Sequence, residues 1–128
     1  MMIPINEESD IVHARNEAKE FAKKLGFGLV DQTRISTAVS ELARNVYTYA
    51  GKGEVTIQEL SNPHRGIRIE FKDEGPGIED VELAMQDGWS SSRSMGKGLP
   101  GSKRLVDFME INSKPGSGTL IIIEKWLS

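Results

Sequence analysis

The feature that most limits the fold of this chain is a helical apolar period between residues 31 and 51. Apolar side chains recur there every three or four positions, which is the spacing of one helix face. They are Ile35, Ala38, Val39, Leu42, Ala43 and Val46. Asp31 is a suitable N-cap for this helix, and Gly51 is suited to its C-terminal end. The pattern predicts a long helix that must bury one side against another layer.

The rest of the chain predicts the elements that form this second layer. A first helix is expected over residues 10–25, ended by Gly26, and a third from Leu99, with Pro100 in its first turn. That third helix is expected to carry Leu105, Val106, Phe108 and Met109. The runs EVTIQEL and GIRIEFK predict a hairpin around SNPHR, and TLIIIEKWL a last strand. A short helix over 79–86 and a polar loop, DGWSSSRSMGKG, are also predicted.

Three helices, and strands mostly adjacent in sequence, favour an α+β two-layer sandwich. We expect a mixed, mostly antiparallel sheet with the three main helices on one face. At 128 residues, with no linker or repeat, residues 1–128 are expected to form one domain. A net charge of −3 argues against nucleic acid or an anionic membrane as partner. The absence of cysteine excludes disulfides and thiolate catalysis, and without a targeting or spanning segment the expected location is cytoplasmic.

The second predicted helix carries Glu41 and Asn45, four residues apart and therefore side by side. Taken alone, such a pair is more often a solvated helix face than a site. The functional interpretation gives the two side chains different roles. The amide oxygen of Asn45 can ligate Mg²⁺, and the Glu41 carboxylate can accept a proton.

The stretch KDEGPGIED follows the second strand of the hairpin. Asp, Gly and Pro are common in any turn after a strand, so a plain turn is the first alternative. The functional interpretation is that Asp73 accepts a hydrogen bond from an exocyclic amine, while Gly75 and Gly77 let the backbone approach a flat base. That chemistry can recognise adenine.

The stretch GKGLPG, residues 96–101, fits the spacing G-x-G-x-x-G but not the dinucleotide-binding context, since a polar loop precedes it. It also lacks the G-K-[ST] end of a P-loop. It is either a mobile surface loop or a flap whose glycine amides hold phosphate oxygens, helped by Lys97 or Arg93. The later GSGT, residues 116–119, by itself predicts a turn.

The order of these motifs is more informative than any one of them. E-x-x-x-N on a helix, D-x-G-x-G after a strand, G-x-G-L before a helix and G-x-G-T before a last strand resemble the GHKL (Bergerat) ATP-binding fold of gyrase, MutL and histidine kinases. The resemblance covers essentially the whole chain. ISTAVSELARNVYTYAGKGEV and GKGLPGSKRLVDF resemble in particular the RsbT-type serine kinases of the bacterial stressosome.

This resemblance implies a role for each motif residue. Asp73 would bind the adenine amine, Asn45 would hold Mg²⁺ on the phosphates of ATP, and Glu41 would act as the base. The base pocket would be completed by Gly75, Gly77 and Thr119. The remaining nucleotide contacts would come from Arg93, Gly96, Lys97, Gly98, Leu99 and Gly101.

The same resemblance implies a protein serine/threonine kinase that modifies a STAS-domain antagonist. Once released, it would bind and activate a PP2C-type phosphatase or another output protein. Two alternatives stay open: an anti-sigma factor kinase that sequesters a sigma factor, and a nucleotide-gated binding module without phosphotransfer. His13 and His64 are not placed to accept phosphate as in a sensor histidine kinase. Trp89 either packs over the nucleotide or docks a partner.

Overall fold

The computed structural model describes residues 1–75, 94–113 and 116–127. Within these ranges the strands are β1 Met2–Ile5, β2 Gly53–Leu60, β3 Gly66–Asp73, β4 Phe108–Ser113 and β5 Thr119–Trp126. The helices are α1 Glu8–Leu25, α2 Leu29–Ala50 and α3 Ser94–Leu105. None of these helices is both long and apolar enough to cross a membrane.

The strands form one sheet in the order β1-β2-β3-β5-β4. Its four pairings are all antiparallel, which refines the expected mixed sheet, and the predicted β2–β3 hairpin is confirmed. On β3, Ile67, Ile69 and Phe71 are buried, while Arg68 on the opposite face donates to Glu124 of β5 at 2.9 Å. This alternation produces the predicted two-layer sandwich, with helices against one face.

The core lies between this sheet face and the helices. All six apolar positions predicted on α2 are buried, as is the row formed on α1 by Ile11, Ala14, Ala18 and Ala22. Removing one large aliphatic side chain from water contributes about 1.5–3 kcal/mol. The apolar faces of the two helices and of the alternating strands therefore determine how the helix layer packs on the sheet, independently of the site residues.

The predicted helix ends are right for α1 and partly wrong for α2. Gly26 ends α1 in the left-handed conformation, with φ of 103°. The N-cap of α2 is Gly28, so the prediction of Asp31 is wrong. Asp31 lies in the first turn, where its carboxylate pairs with Arg34 at 3.0 Å and Lys125 at 3.8 Å. These tertiary and intrahelical partners account for Asp31 better than a capping role does.

The third helix begins at Ser94, five residues before the predicted Leu99. Residues 96–98, predicted in a loop, therefore have helical backbone, and Pro100 lies inside the helix rather than in its first turn. Leu99 and Ser102 are fully buried, and the helix packs on α2. Tertiary packing of this kind stabilises a helix that local propensity would disfavour.

The helix also ends sooner than predicted, at Leu105. The predictions of Val106, Phe108 and Met109 on this helix are therefore wrong. Phe108 and Met109 lie on β4, where Met109 and Ile111 pair with two isoleucines of β5. Residues alternate in exposure along β4, the period of a strand, and pairing with β5 decides between the two interpretations. The predicted short helix over 79–86 lies outside the described residues.

Candidate functional site

The C-terminal end of β3 places Asp73 at a corner between three strands. Its register partners are Gly53 on β2 and Thr119 on β5, so the backbone at Asp73 is held from both sides. The Gly75 amide donates to Asp73 Oδ1 at 2.9 Å. Burial raises the pKa of Asp73, and hydrogen bonds from the backbones of Gly75 and Thr119 offset part of that rise. The corner thus holds a partly buried carboxylate with acceptor capacity left over.

Two glycines let other backbone segments approach this carboxylate. A Cβ on Gly75 would lie 2.7 Å from the Ala50 Cβ and 3.2 Å from Asp73 Oδ1. Gly118 has a positive φ of 85°, and a Cβ there would overlap the Asp73 carbonyl. The sequence pointed to Gly75 but not to Gly118, although the second glycine of GSGT marks a backbone that only glycine adopts easily.

Thr119 lies opposite Asp73 and is 9% exposed. Its hydroxyl shares a hydrogen bond of 2.9 Å with Ser113, whose Oγ also donates to the Gly118 carbonyl at 3.1 Å. The structure therefore brings together Asp73 and Thr119, as the resemblance implied. No sequence pattern points to Ser113, because the first residues of its strand, Phe108 and Met109, are predicted in a helix.

Two surface pockets border the corner. One, of about 210 Å³, is lined by Asp73 together with Lys52 and Gly53 among others. The other, of about 400 Å³, is lined by Ser113 and Gly118 with their neighbours. Asp73 is therefore half-buried yet borders open space, as a residue that contacts a ligand must.

The C-terminal half of α2 lies over this end of the sheet. Ala50 meets Gly75, and the Val46 side chain fills the space a Cβ on Gly53 would need. At 1.5 Å per residue, Asn45 and Glu41 lie roughly 7.5 and 13.5 Å further back along the helix axis from Ala50. Along the axis of α2, Asn45 therefore lies nearer than Glu41 to the end of the helix that meets the Asp73 corner.

Asn45 is buried, at 8% exposure, and its Nδ2 has no hydrogen-bond partner among the described residues. A buried donor left unsatisfied costs about 1–3 kcal/mol, so Nδ2 is available to a bound group, to an ordered water or to a residue outside the described ranges. Glu41, one turn earlier, is exposed. In the described parts of the chain, no group of three or more His, Asp or Glu side chains could hold a metal alone. The Oδ1 of Asn45 is of the ligand type that Mg²⁺ prefers and could contribute one oxygen to such a site.

The start of α3 supplies backbone donors. The carbonyl of the N-cap residue accepts the first intrahelical hydrogen bond, from the amide of the fourth helical residue, so in α3 the free amides include that of Gly96 but not those of Lys97 and Gly98. Such a terminus attracts anions, so the predicted phosphate contact is compatible with a helix as well as with a flap. Leu99 has a core side chain, which leaves only its backbone for the predicted contact, and Gly101 has no atom within 4 Å of an added Cβ.

Three positions singled out in the sequence, Gly77, Trp89 and Arg93, lie outside the described residues. The roles predicted for Gly77 and Arg93 stay predictions, as does the contact of Lys97. The described residues thus place Asp73, Gly75 and Thr119 at one corner, with Asn45 and Glu41 further back along α2.

Known proteins resemble this chain along most of its length. Residues 30–128 match the model of the family described as histidine kinase-, DNA gyrase B-, and HSP90-like ATPase. The serine/threonine-protein kinase RsbT of Bacillus subtilis (strain 168) is 51% identical over 98% of this chain and 95% of its own length. The anti-sigma F factor of Thermoanaerobacter sp. (strain X514) is 35% identical, over 89% of this chain and 83% of its own.

Solved structures agree with the fold. A crystal structure of full-length ShkA in complex with AMPPNP aligns with 97% of this chain at a TM-score of 0.63 and 16% identity. The alignment spans 30% of that longer protein, so it supports the fold alone. Together the matches confirm the resemblance to the GHKL fold and to RsbT-type kinases that the motif order indicated.

Proposed function

We propose that this chain, which belongs to the family of histidine kinase-, DNA gyrase B-, and HSP90-like ATPases, is an ATP- and Mg²⁺-dependent protein serine/threonine kinase. Its proposed substrate is a STAS-domain antagonist protein of the stressosome. The observation that carries this proposal is the arrangement along α2 of the Asp73 corner, the buried Asn45 and the exposed Glu41. The 51% identity to a protein named as a serine/threonine kinase supports the reaction class.

Asp73 and Thr119 would bind the adenine. The Asp73 carboxylate would accept a hydrogen bond from the exocyclic amine of adenine. An ionised acceptor makes a stronger hydrogen bond than a neutral one. Gly75 keeps the wall of the pocket free of a side chain, because any Cβ there would meet Ala50. Specificity for adenine would follow from an acceptor fixed by strand pairing on both sides.

Asn45 would hold the metal and the phosphates. Its Oδ1 is a suitable ligand for Mg²⁺, which would neutralise phosphate charge, and its unpartnered Nδ2 can donate to a phosphate oxygen. The free amides at the start of α3 would bind further phosphate oxygens. These groups align the phosphates without reacting themselves.

Glu41 would act as the general base. The acceptor hydroxyl oxygen bonds to the γ-phosphorus as the bond to the β–γ bridging oxygen breaks, and ADP leaves. Glu41 accepts the hydroxyl proton in the same step. Its exposure allows a protein hydroxyl to approach from solvent.

Phosphorylation of the antagonist would release the kinase, which would then bind a PP2C-type phosphatase or another output protein. A second candidate is favoured by a specific observation, the 35% identity to an anti-sigma F factor. On that alternative the chain sequesters a sigma factor and phosphorylates its antagonist. A module that binds ATP without transfer is the third possibility.

The test is transfer of label from γ-labelled ATP, with Mg²⁺, to a STAS-domain protein of the same organism. Glu41→Ala should lower the transfer rate about 10²–10⁴-fold with ATP still bound, since a general base contributes that much. Asn45→Ala should weaken the Mg²⁺ dependence of ATP binding. Glu59→Ala and Asn16→Ala are controls of the same residue types at exposed positions.

Label on serine or threonine that is lost in the site variants, and kept in the controls, would establish the kinase. No label from the wild type with any STAS-domain protein, despite ATP binding, would refute transfer and favour the binding module. Formation of a complex with a sigma factor that competes with the antagonist would favour the anti-sigma alternative.

A further inference from the structure

The terminal residues of three strands form a polar row at the corner of the site. Asp73 of β3 pairs in register with Thr119 of β5, and Thr119 pairs with Ser113 of β4. Side chains of register partners lie on the same face of a sheet. Two residues further into each strand, the same face carries a row that is apolar throughout: Phe71, Ile121 and Ile111. We call Asp73, Thr119 and Ser113 the polar row, which lies where the core ends and the candidate site begins.

The hydrogen bonds of the polar row fix the direction of two hydroxyl groups. Ser113 Oγ lies 3.1 Å from the Gly118 carbonyl oxygen and 2.9 Å from Thr119 Oγ1. A carbonyl oxygen can only accept, and a serine hydroxyl has one proton to donate. Ser113 therefore donates its proton to Gly118. Both hydrogen bonds are then made only if Thr119 donates its own proton to Ser113.

This arrangement leaves Thr119 with lone pairs alone for a bound group, because its hydroxyl proton is directed at Ser113. The ionised carboxylate of Asp73, the next side chain in the row, also only accepts. One of its oxygens accepts from the Gly75 amide at 2.9 Å, and acceptor capacity remains. Among the described residues, the polar row therefore offers a ligand two adjacent acceptors and no hydroxyl donor.

We propose that Ser113 is a positioning residue that keeps the Thr119 hydroxyl an acceptor, and that the base end thereby selects a 6-amino purine over a 6-oxo purine. This inference rests on the proposed function in one respect, that the corner at Asp73 binds the base of a nucleotide. An exocyclic amine has two N–H donors, which match two acceptors. A 6-oxo group is itself an acceptor and would meet no donor, and unpaired polar groups make a site reject the wrong ligand.

Ser113→Ala removes the acceptor that directs the Thr119 proton. The Thr119 hydroxyl can then rotate and donate to a 6-oxo group, and it is no longer fixed as an acceptor for an amine. We measure this by the ratio of the dissociation constants of inosine diphosphate (IDP) and ADP. The wild type should favour ADP about tenfold or more. The variant should lower this ratio about three- to tenfold, which corresponds to one neutral hydrogen bond.

The experiment is calorimetric titration with ADP and with IDP, with the melting temperature measured on the same samples. Ser117→Ala is the matched control, since Ser117 is an exposed serine that lines the same pocket as Ser113. Ser113→Thr keeps the hydroxyl and should keep the wild-type ratio. If alanine at position 113 prevents folding, Ser113→Cys replaces it, because a thiol is a weak donor and acceptor and should also lower the ratio.

A double variant shows whether Ser113 acts through Thr119. Thr119→Val removes the hydroxyl and should itself lower the ratio of the two dissociation constants. Adding Ser113→Ala to Thr119→Val should then leave the ratio unchanged, because no hydroxyl remains to be directed. A further fall in the double variant would show that Ser113 acts by another route and would overturn the positioning role.

Each other outcome also decides. A merely structural role for Ser113 would weaken ADP and IDP by the same factor, so an unchanged ratio in Ser113→Ala refutes the proposal whatever happens to the melting temperature. An equal fall of the ratio in Ser117→Ala, or a wild type that binds IDP as tightly as ADP, refutes it as well. These three results leave the kinase untouched. A lowered ratio in Ser113→Ala without phosphate transfer by the wild type keeps the inference and refutes the kinase, and a wild type that binds neither nucleotide refutes both.

Discussion

The two ends of the candidate site differ in how completely the protein satisfies its own polar groups. At the base end, Asp73 and Thr119 each have hydrogen-bond partners, and the backbone around them is paired within the sheet. At the proposed phosphate end, Asn45 Nδ2 on α2 is buried without a partner among the described residues. The first end is preformed, and the second has a donor left over.

This difference follows from the elements that build each end. Strand pairing fixes Asp73 through its neighbours on both sides, so little has to move when a base binds. The backbone polar groups of a helix are hydrogen-bonded within the helix. Its polar side chains project toward the next helix, and helix formation by itself provides them with no hydrogen-bond partner. We therefore expect substitutions at the base end to change the affinity for ATP and the strain of the backbone. Substitutions at the phosphate end should change the Mg²⁺ dependence of binding and the rate of phosphate transfer.

The largest effect expected at the base end is that of Asp73→Asn on ATP binding. The substitution replaces an ionised acceptor by a neutral amide and should cost about 1.5–3 kcal/mol, or roughly ten- to hundredfold in affinity. A calorimetric titration with ATP measures it. An unchanged affinity for ATP would mean that the DEGPG stretch is only a turn and that Asp73 does not bind the base.

Stability serves as the control for this variant. The pKa of Asp73 is raised in the folded protein, so between its ordinary value of 3.8 and the raised value the folded state binds more protons than the unfolded state. The contribution of Asp73 to stability therefore falls as pH rises through that window, and above it the ionised carboxylate is a liability. Asp73→Asn should unfold no sooner than wild type at pH near 7 and lose this advantage at about pH 3. A variant that unfolds early at neutral pH would show that the charge is needed for folding.

Gly118→Ala should have a somewhat smaller effect, about 1–3 kcal/mol on the free energy of unfolding. A methyl group there must adopt a positive φ and also overlaps the Asp73 carbonyl. Gly116→Ala is the matched control, since its φ of 79° is similar but nothing lies within 4 Å of its Cβ. The difference between the two variants in urea unfolding measures the close approach at Asp73. Equal losses of stability in the two variants would mean that the close approach of Gly118 to Asp73 does not stabilise the base end.

The sequence predicted those features that are local in the chain. The apolar period of α2, the β2–β3 hairpin and the position of Asp73 at a strand end all follow from spacing within one segment. The predictions from the sequence were wrong where packing against a distant segment determines the local structure. Met109 and Ile111 become a strand because β5 lies beside them, and α3 starts at Ser94, ahead of the predicted Leu99, because it packs on α2. The approach of Gly118 to Asp73 links residues 45 positions apart, beyond any local pattern.

The smallest effect, and the one that tests the phosphate end, is that of Gly101→Ala. Gly101 lies inside α3 with no atom near its missing Cβ, so alanine should raise the free energy of unfolding by about 0.5–1 kcal/mol. The family resemblance implies that Gly101 helps to cover the phosphates of ATP, so the same methyl group should weaken ATP binding, by less than about tenfold. The two readouts then move in opposite directions in one variant. A protein that gains stability and binds ATP like the wild type would show that Gly101 does not cover the phosphates, and would leave the first-turn amides of α3 and Asn45 as the residues that hold them.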